Sequence, residues 1–166
     1  MSLQKLWEKY RQETVFNYSV LPKELRKKGE CLELDARCMI VSRGEFPHWI
    51  YFILEGTVTG IREYADGNEY SYFQLDKQNG SIGLLEILAR KDRYIATIVS
   101  TTKVKLLRIE AEVIYEAIME DKSLLRRSMS LLAEDLYQRS GKEGILYYFQ
   151  GIDRVRYYLT SYYEEH

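Results

Sequence analysis

The 166 residues carry 46% apolar and 30% charged side chains with 10 Gly and 2 Pro, an ordinary globular composition that excludes disorder, collagen-like repeats and low complexity. A chain this long makes one domain, or one domain plus a fragment of another, and can bury roughly 70% of its extended surface without disulfide or metal. Lys+Arg 24 against Asp+Glu 25 leaves a net charge of -1, too little for a unit that holds DNA by phosphate neutralisation alone.

Leu3, Leu6, Trp7 and Tyr10 fall at helical spacing, so residues 2–16 read as an amphipathic helix. The opening residues lack a charged segment followed by an apolar one, so nothing marks the chain for export and it reads as cytoplasmic. A short helical piece follows Pro22 and ends at Gly29. From Glu30 the period changes to two. Cys31–Leu34, Met39–Val41, Trp49–Leu54 and Thr57–Tyr64 read as strands, rich in β-branched and aromatic residues. The run Trp49–Leu54 is the longest apolar stretch, far too short to span a bilayer. Cys31 and Cys38 are the only cysteines. They are too few for an iron-sulfur cluster or a structural zinc site, and read as reduced core thiols, with a cross-strand disulfide as the alternative.

Asp66-Gly67 is a hairpin signal, with a return strand from Asn68 to Leu75. Asn79-Gly80 turns the chain again, and Ser81–Leu88 reads as a loop with a helical turn. Ile95–Thr101 and Lys103–Ile109 complete about eight strands. Strands at this spacing predict a mainly β fold with flanking helices (α+β), a double-stranded β-helix or jelly-roll barrel. A helical face of Val113, Ile114, Ala117 and Ile118 follows. Asp121 is placed to cap a long helix in which Leu125, Met129, Leu132 and Leu136 repeat at coiled-coil spacing. Gly141 and Gly144 in that helix predict a close contact or a bend. Gly151-Ile152-Asp153 interrupts it, with Asp153 as N-cap of a last helix from Arg154 that reaches His166 without a C-cap.

Several segments in this order resemble the cyclic-nucleotide-binding-domain superfamily, and within it the Crp/Fnr transcription regulators. They are Gly44-Glu45, the strand Trp49 to Leu54 with Gly56-Thr57-Val58, the Asp66 to Glu69 hairpin, and Ser81 to Leu88 through Arg93 to Thr97. The resemblance implies a sensor barrel over residues 1–120, a long dimerisation helix over 121–150, and a hinge with the first helix of a winged-helix DNA-binding domain over 151–166. It places a phosphate-binding cassette at Gly83, Leu84, Leu85, Arg93, Tyr94, Ala96 and Thr97, and base contacts at Arg139 and Ser140. Dimerisation falls to Leu125, Met129, Leu132 and Leu136, and the hinge to Gly151, Ile152 and Asp153.

The cassette departs from the pattern its chemistry requires. A cyclic phosphate needs backbone N–H groups and an Arg, and its ribose needs a carboxylate directly after the glycine. Leu84 stands where that carboxylate belongs, and Glu86 is expected to face elsewhere. Tyr94 holds the Arg position and Arg93 is one residue early, which changes where its side chain points. Each loss costs about 1.5–3 kcal/mol, so the expected effector is less charged and more apolar than cAMP, or there is none. For Arg139 the favoured reading is a solvated helix residue. Tyr137, Tyr147 and Tyr148 read as core, with pocket or dimer seam as the alternative.

Metal chemistry on a jelly roll gathers two or three His with a carboxylate. Only His48, in a turn beside Pro47, and His166 exist, so no metal, cofactor or catalytic triad is expected. The expected partners are a second copy through the long helix, a small effector, and DNA only through a domain beyond this chain. Two other readings stay open: a regulatory module attached to an enzyme or channel, and an orphan dimerising interaction domain.

Overall fold

The computed structural model describes residues 2–63, 69–148 and 151–165. Eight strands follow one another between helical ends: β1 (Glu30–Leu34), β2 (Met39–Val41), β3 (Trp49–Glu55), β4 (Val58–Glu63), β5 (Glu69–Leu75), β6 (Ser81–Ile82), β7 (Thr97–Ser100) and β8 (Val104–Glu110). They form two four-stranded antiparallel sheets, ordered β1-β8-β3-β6 and β2-β7-β4-β5. This is the expected jelly-roll architecture with flanking helices. The Asp66-Gly67 turn lies outside the described residues; Val58 pairs with Leu75 on the strands it would join.

β3 shows why an unbroken apolar run is a strand here rather than a helix. Its alternate residues serve two cores. Tyr51 and Ile53 point between the sheets with Val58, Ile98 and Leu106. Ile50 and Phe52 point the other way, against Phe16, Leu107, Ile109, Ile114 and Ile118 under the helices. β8 follows the same rule: Lys103 precedes it, Lys105 is half-buried within it, and Val104, Leu106, Leu107 and Ile109 are buried.

The N-terminal helix is shorter than its periodicity predicts. α1 spans Leu3–Tyr10 and a 3-10 turn, Arg11–Thr14, ends it. The chain turns there because Phe16 enters the core and stacks on Phe52, with ring centroids 6.4 Å apart. α2 (Lys23–Lys27) follows Pro22 and buries Leu25. The cysteines are not core thiols. Cys31 is exposed and Cys38 half-buried, and both are free. On β1 the pleat turns Leu32 and Leu34 inward and therefore Cys31 outward.

α3 (Leu84–Leu88) is a single short helix between β6 and β7, and α4 (Ala111–Glu120) packs Ala111, Ile114 and Ile118 into the core. β7 begins at Thr97, two residues later than predicted, and the Ile95 N–H bonds to Glu86 Oε1 at 3.1 Å instead of to a neighbouring strand. α5 runs unbroken from Lys122 to Tyr148, through both Gly141 and Gly144. Asp121 caps it: its Oδ1 accepts from Ser123 N–H at 2.7 Å and Leu124 N–H at 3.2 Å. α6 spans Ile152–Glu165, so Asp153 sits in its first turn instead of at the N-cap, 3.9 Å from Arg156 Nη1. The break before it is made by Gly151 at φ +38°. Tyr137 is exposed, not core, and the side chains of Tyr147 and Tyr148 lie outside those described.

Candidate functional site

The segment from β6 to β7 is built on one glycine. Gly83 has φ +92°, a backbone region that L side chains rarely adopt, and a Cβ there would lie 2.9 Å from the Trp49 carbonyl oxygen. The sharp turn it allows starts α3 directly over β3. Leu84 drops into the helix-side core and Leu85 faces solvent. Leu84, not a carboxylate, therefore follows the glycine because the position is a core position.

Glu86 does not face away, as its spacing from Gly83 suggested. It is buried, and its Oε1 accepts from Ile95 N–H at 3.1 Å, tying α3 to the loop before β7. One turn of helix from an apolar stretch leaves a lone acid only two outlets, water or N–H donors. Its isolation within Leu84-Leu85-Glu86-Ile87-Leu88 was the available signal for a pinned carboxylate. The loop is tied at further points: Gly44 N–H donates to Tyr94 O at 3.0 Å, Lys91 N–H to Glu86 O at 2.9 Å, and Arg43 N–H to Thr97 Oγ1 at 3.0 Å.

Tyr94 is the residue for which the sequence resemblance leads one to expect an Arg. It is buried beneath the loop and its hydroxyl donates to Trp49 O at 2.8 Å. Burial is the main force that holds its phenol well above the ordinary value, with Tyr51 nearby adding to the shift. Tyr51, also raised by burial, lies opposite Arg108 on β8, whose guanidinium binds Glu30 Oε2 at 2.8 Å and stacks 4.4 Å from the Trp49 ring centroid. Arg93 points out to solvent, 3.8 Å from Asp92.

Above these groups lies an open cavity of about 670 Å³, lined by Arg43, Gly44, Leu85, Glu86, Ala89 and residues 91–95. Of the residues singled out in the sequence, Leu85, Arg93 and Tyr94 line it. Gly83, Leu84, Ala96 and Thr97 shape the backbone around it, with Leu84 and Ala96 buried in the two cores. Arg139 and Ser140 are exposed on α5 and do not line it within this protomer; Arg139 Nε pairs with Asp135 Oδ2 at 2.9 Å on its own helix.

Residues 31–121 match the model of the cyclic nucleotide-binding domain. The chain belongs to that family. Solved structures resemble it at low sequence identity. A transcriptional regulator from Thermotoga maritima superposes with TM-score 0.66 at 20% identity, covering 75% of this chain and 95% of that one. The sensor domain of the regulator DNR from Pseudomonas aeruginosa gives 0.64 at 19%, over 85% and 95%. Thermus thermophilus catabolite activator protein gives 0.65 at 18%, over 78% of this chain and 61% of that protein. No curated protein matches the sequence. Among the described residues no cluster of three or more His, Cys, Asp or Glu could hold a metal ion, and no helix is long and apolar enough to cross a membrane.

α5 has a face that packs on its own chain and a face that carries the residues assigned to dimerisation. Leu124 and Ser128 are buried against the rest of the chain and Leu131 packs on the same core. Leu125, Met129 and Leu136 are exposed, and Leu132 is half-buried.

Proposed function

We propose that this cyclic nucleotide-binding domain is the effector-sensing and dimerisation portion of a Crp/Fnr-like transcription regulator whose cassette does not hold cAMP. The observation that carries this reading is the occupancy of the cassette by the protein's own groups. Tyr94, hydrogen-bonded to Trp49 O, replaces the phosphate-binding Arg, and Ile95 N–H is taken by the Glu86 carboxylate. A phosphate entering there finds the Ile95 N–H already taken by a carboxylate, while the cations on the cavity wall, Arg43, Lys91 and Arg93, are exposed to solvent. The exposed Leu85 and Ile95 on the cavity wall favour a less charged, more apolar effector.

In this reading residues 1–120 sense, 121–150 dimerise, and Gly151, Ile152 and Asp153 form the hinge to a DNA-binding domain. The exposed apolar face of α6, with Val155, Leu159 and Tyr162, supports a further packed unit. So does the 61% share of the Thermus thermophilus catabolite activator protein that the chain spans. An effector shifts such a dimer between two arrangements only by its difference in affinity for them. Calorimetric titration and thermal-shift measurements with cAMP and cGMP test the proposal. No heat and no shift are expected at millimolar nucleotide, whereas a rise of several degrees with cAMP removes the closed-cassette claim.

A further inference from the structure

A second cavity lies beside the cassette, an open groove of about 520 Å³ between the loop ahead of β3, the end of α3 and the first turns of α4. α3 and the turn after it divide the two: Leu85, Glu86 and Ala89 line the cassette cavity, whereas Ile87 and Arg90 line the groove. Phe46, Pro47, Ile87 and Tyr115 make its lining apolar, and Phe46 is 55% exposed.

A loose loop does not explain that exposure. Just before Phe46, Tyr94 N–H donates to Glu45 O at 2.8 Å. Just after it, His48 N–H donates to Phe46 O and Ala111 N–H to His48 O, both at 2.9 Å. A large aromatic side chain held in water on a tied backbone is preorganised for a partner, because little loop freedom is left to lose on binding.

The charges around the groove are set at a cost to the single chain. Glu112, in the first turn of α4, suits the helix dipole, but Glu116 one turn later repels it. Arg90 closes α3 at φ +54°, a left-handed position that usually falls to glycine. Arg90 and Lys91 are exposed on the α3 side, and Glu112 and Glu116 on the α4 side. Among the described residues none of these four makes an ion pair.

We infer that the groove docks a segment of another protein. That segment lays one bulky apolar side chain over Phe46 and Tyr115, with acidic residues toward Arg90 and Lys91 and basic residues toward Glu112 and Glu116. Charge complementarity selects this occupant. A nucleic acid or an anionic lipid surface carries one sign of charge and would meet the Glu112 and Glu116 side with repulsion. Small molecules favour clefts that enclose most of their surface, which an open groove does not. An exposed apolar patch with a polar rim is the common form of a protein contact, and aromatic anchors dominate such contacts. The inference does not depend on what fills the cassette.

Selection of a random peptide library on the whole chain, followed by fluorescence polarisation of the enriched peptides, tests this. They are expected to share a large apolar residue with acids on one side and bases on the other. Phe46→Ala and Glu116→Lys are each expected to weaken binding tenfold or more. Both side chains are exposed, so the urea midpoint is expected to stay unchanged. Arg90→Gly is expected to weaken binding several-fold while the urea midpoint holds or rises, because glycine takes that φ without strain. No enriched peptide, or peptides that bind Phe46→Ala as tightly as the wild type, overturns the inference. Peptides carrying one sign of charge overturn it too, as does an affinity unchanged by Arg90→Gly. Self-association of the chain that Phe46→Ala abolishes gives the groove to a second copy and has the same consequence.

Discussion

Around α3 the buried polar groups find partners inside the chain, whereas on α5 Met129, Leu136 and Tyr137 face solvent. The cassette is finished structure: Glu86 closes on Ile95 N–H, Tyr94 on the Trp49 carbonyl, and Leu84 fills the core beneath. The middle of α5 is regular helix that leaves Met129 and Leu136 exposed. A helix gains most of its stability from the face it buries. The first region is therefore expected to respond to mutation within one chain, and the second only through association.

Four measurements break or sharpen that contrast. The largest effect is expected from Leu84→Ala, which removes a buried side chain under the cassette and costs about 2–5 kcal/mol in urea unfolding. A loss under 1 kcal/mol would mean, on the same scale, that the cassette floor collapses freely and is not part of the core. Glu86→Ala strands the Ile95 N–H and is expected to cost about 1–3 kcal/mol, with Glu86→Gln milder because an amide oxygen still accepts. Equal stability of the two variants would show that the contact does not close the loop.

Tyr94→Phe comes next, at about 1 kcal/mol for the lost bond to Trp49 O. Its pH signature is more specific. Because the folded state holds the Tyr94 phenol above its unfolded value, the folded chain keeps a proton that the unfolded chain releases. That stabilisation is complete below about pH 10 and is lost as pH rises through the alkaline range. Unfolding free energy is expected to fall above that point, and less steeply in Tyr94→Phe. The smallest effect is expected from Leu136→Ser on α5, within about 0.5 kcal/mol for the dilute monomer. A larger loss there would erase the contrast, because it would place Leu136 in a contact within one chain.

The legibility of the two regions differed for a physical reason. Strands came out of alternation and turn residues, since β3 and β8 must serve two cores and so read as apolar runs of strand length. Asp121 was legible as a cap because its function needs only the next three residues. The cassette was half legible. Gly83, Leu84 and Tyr94 are legible as departures from the pattern of the resemblance, but Glu86 is expected to face elsewhere, and its partner Ile95 lies nine residues away. The end of α1 was misjudged for a similar reason: Phe16 is pulled out of helical register by Phe52, thirty-six positions on.

Local chemistry thus sufficed for the order of the elements, the start of α5 and the presence of Leu84 after Gly83. Each of those depends on neighbours within a few residues of chain. Packing settled the rest. The direction of Glu86, the burial of Tyr94 over the Trp49 carbonyl and the outward turn of Cys31 depend on groups brought together by the sheets. The same is true of the apolar rows on α1 and α5. Their spacing is written in the sequence, but only the folded barrel, by filling its core without them, leaves Trp7, Met129 and Leu136 exposed.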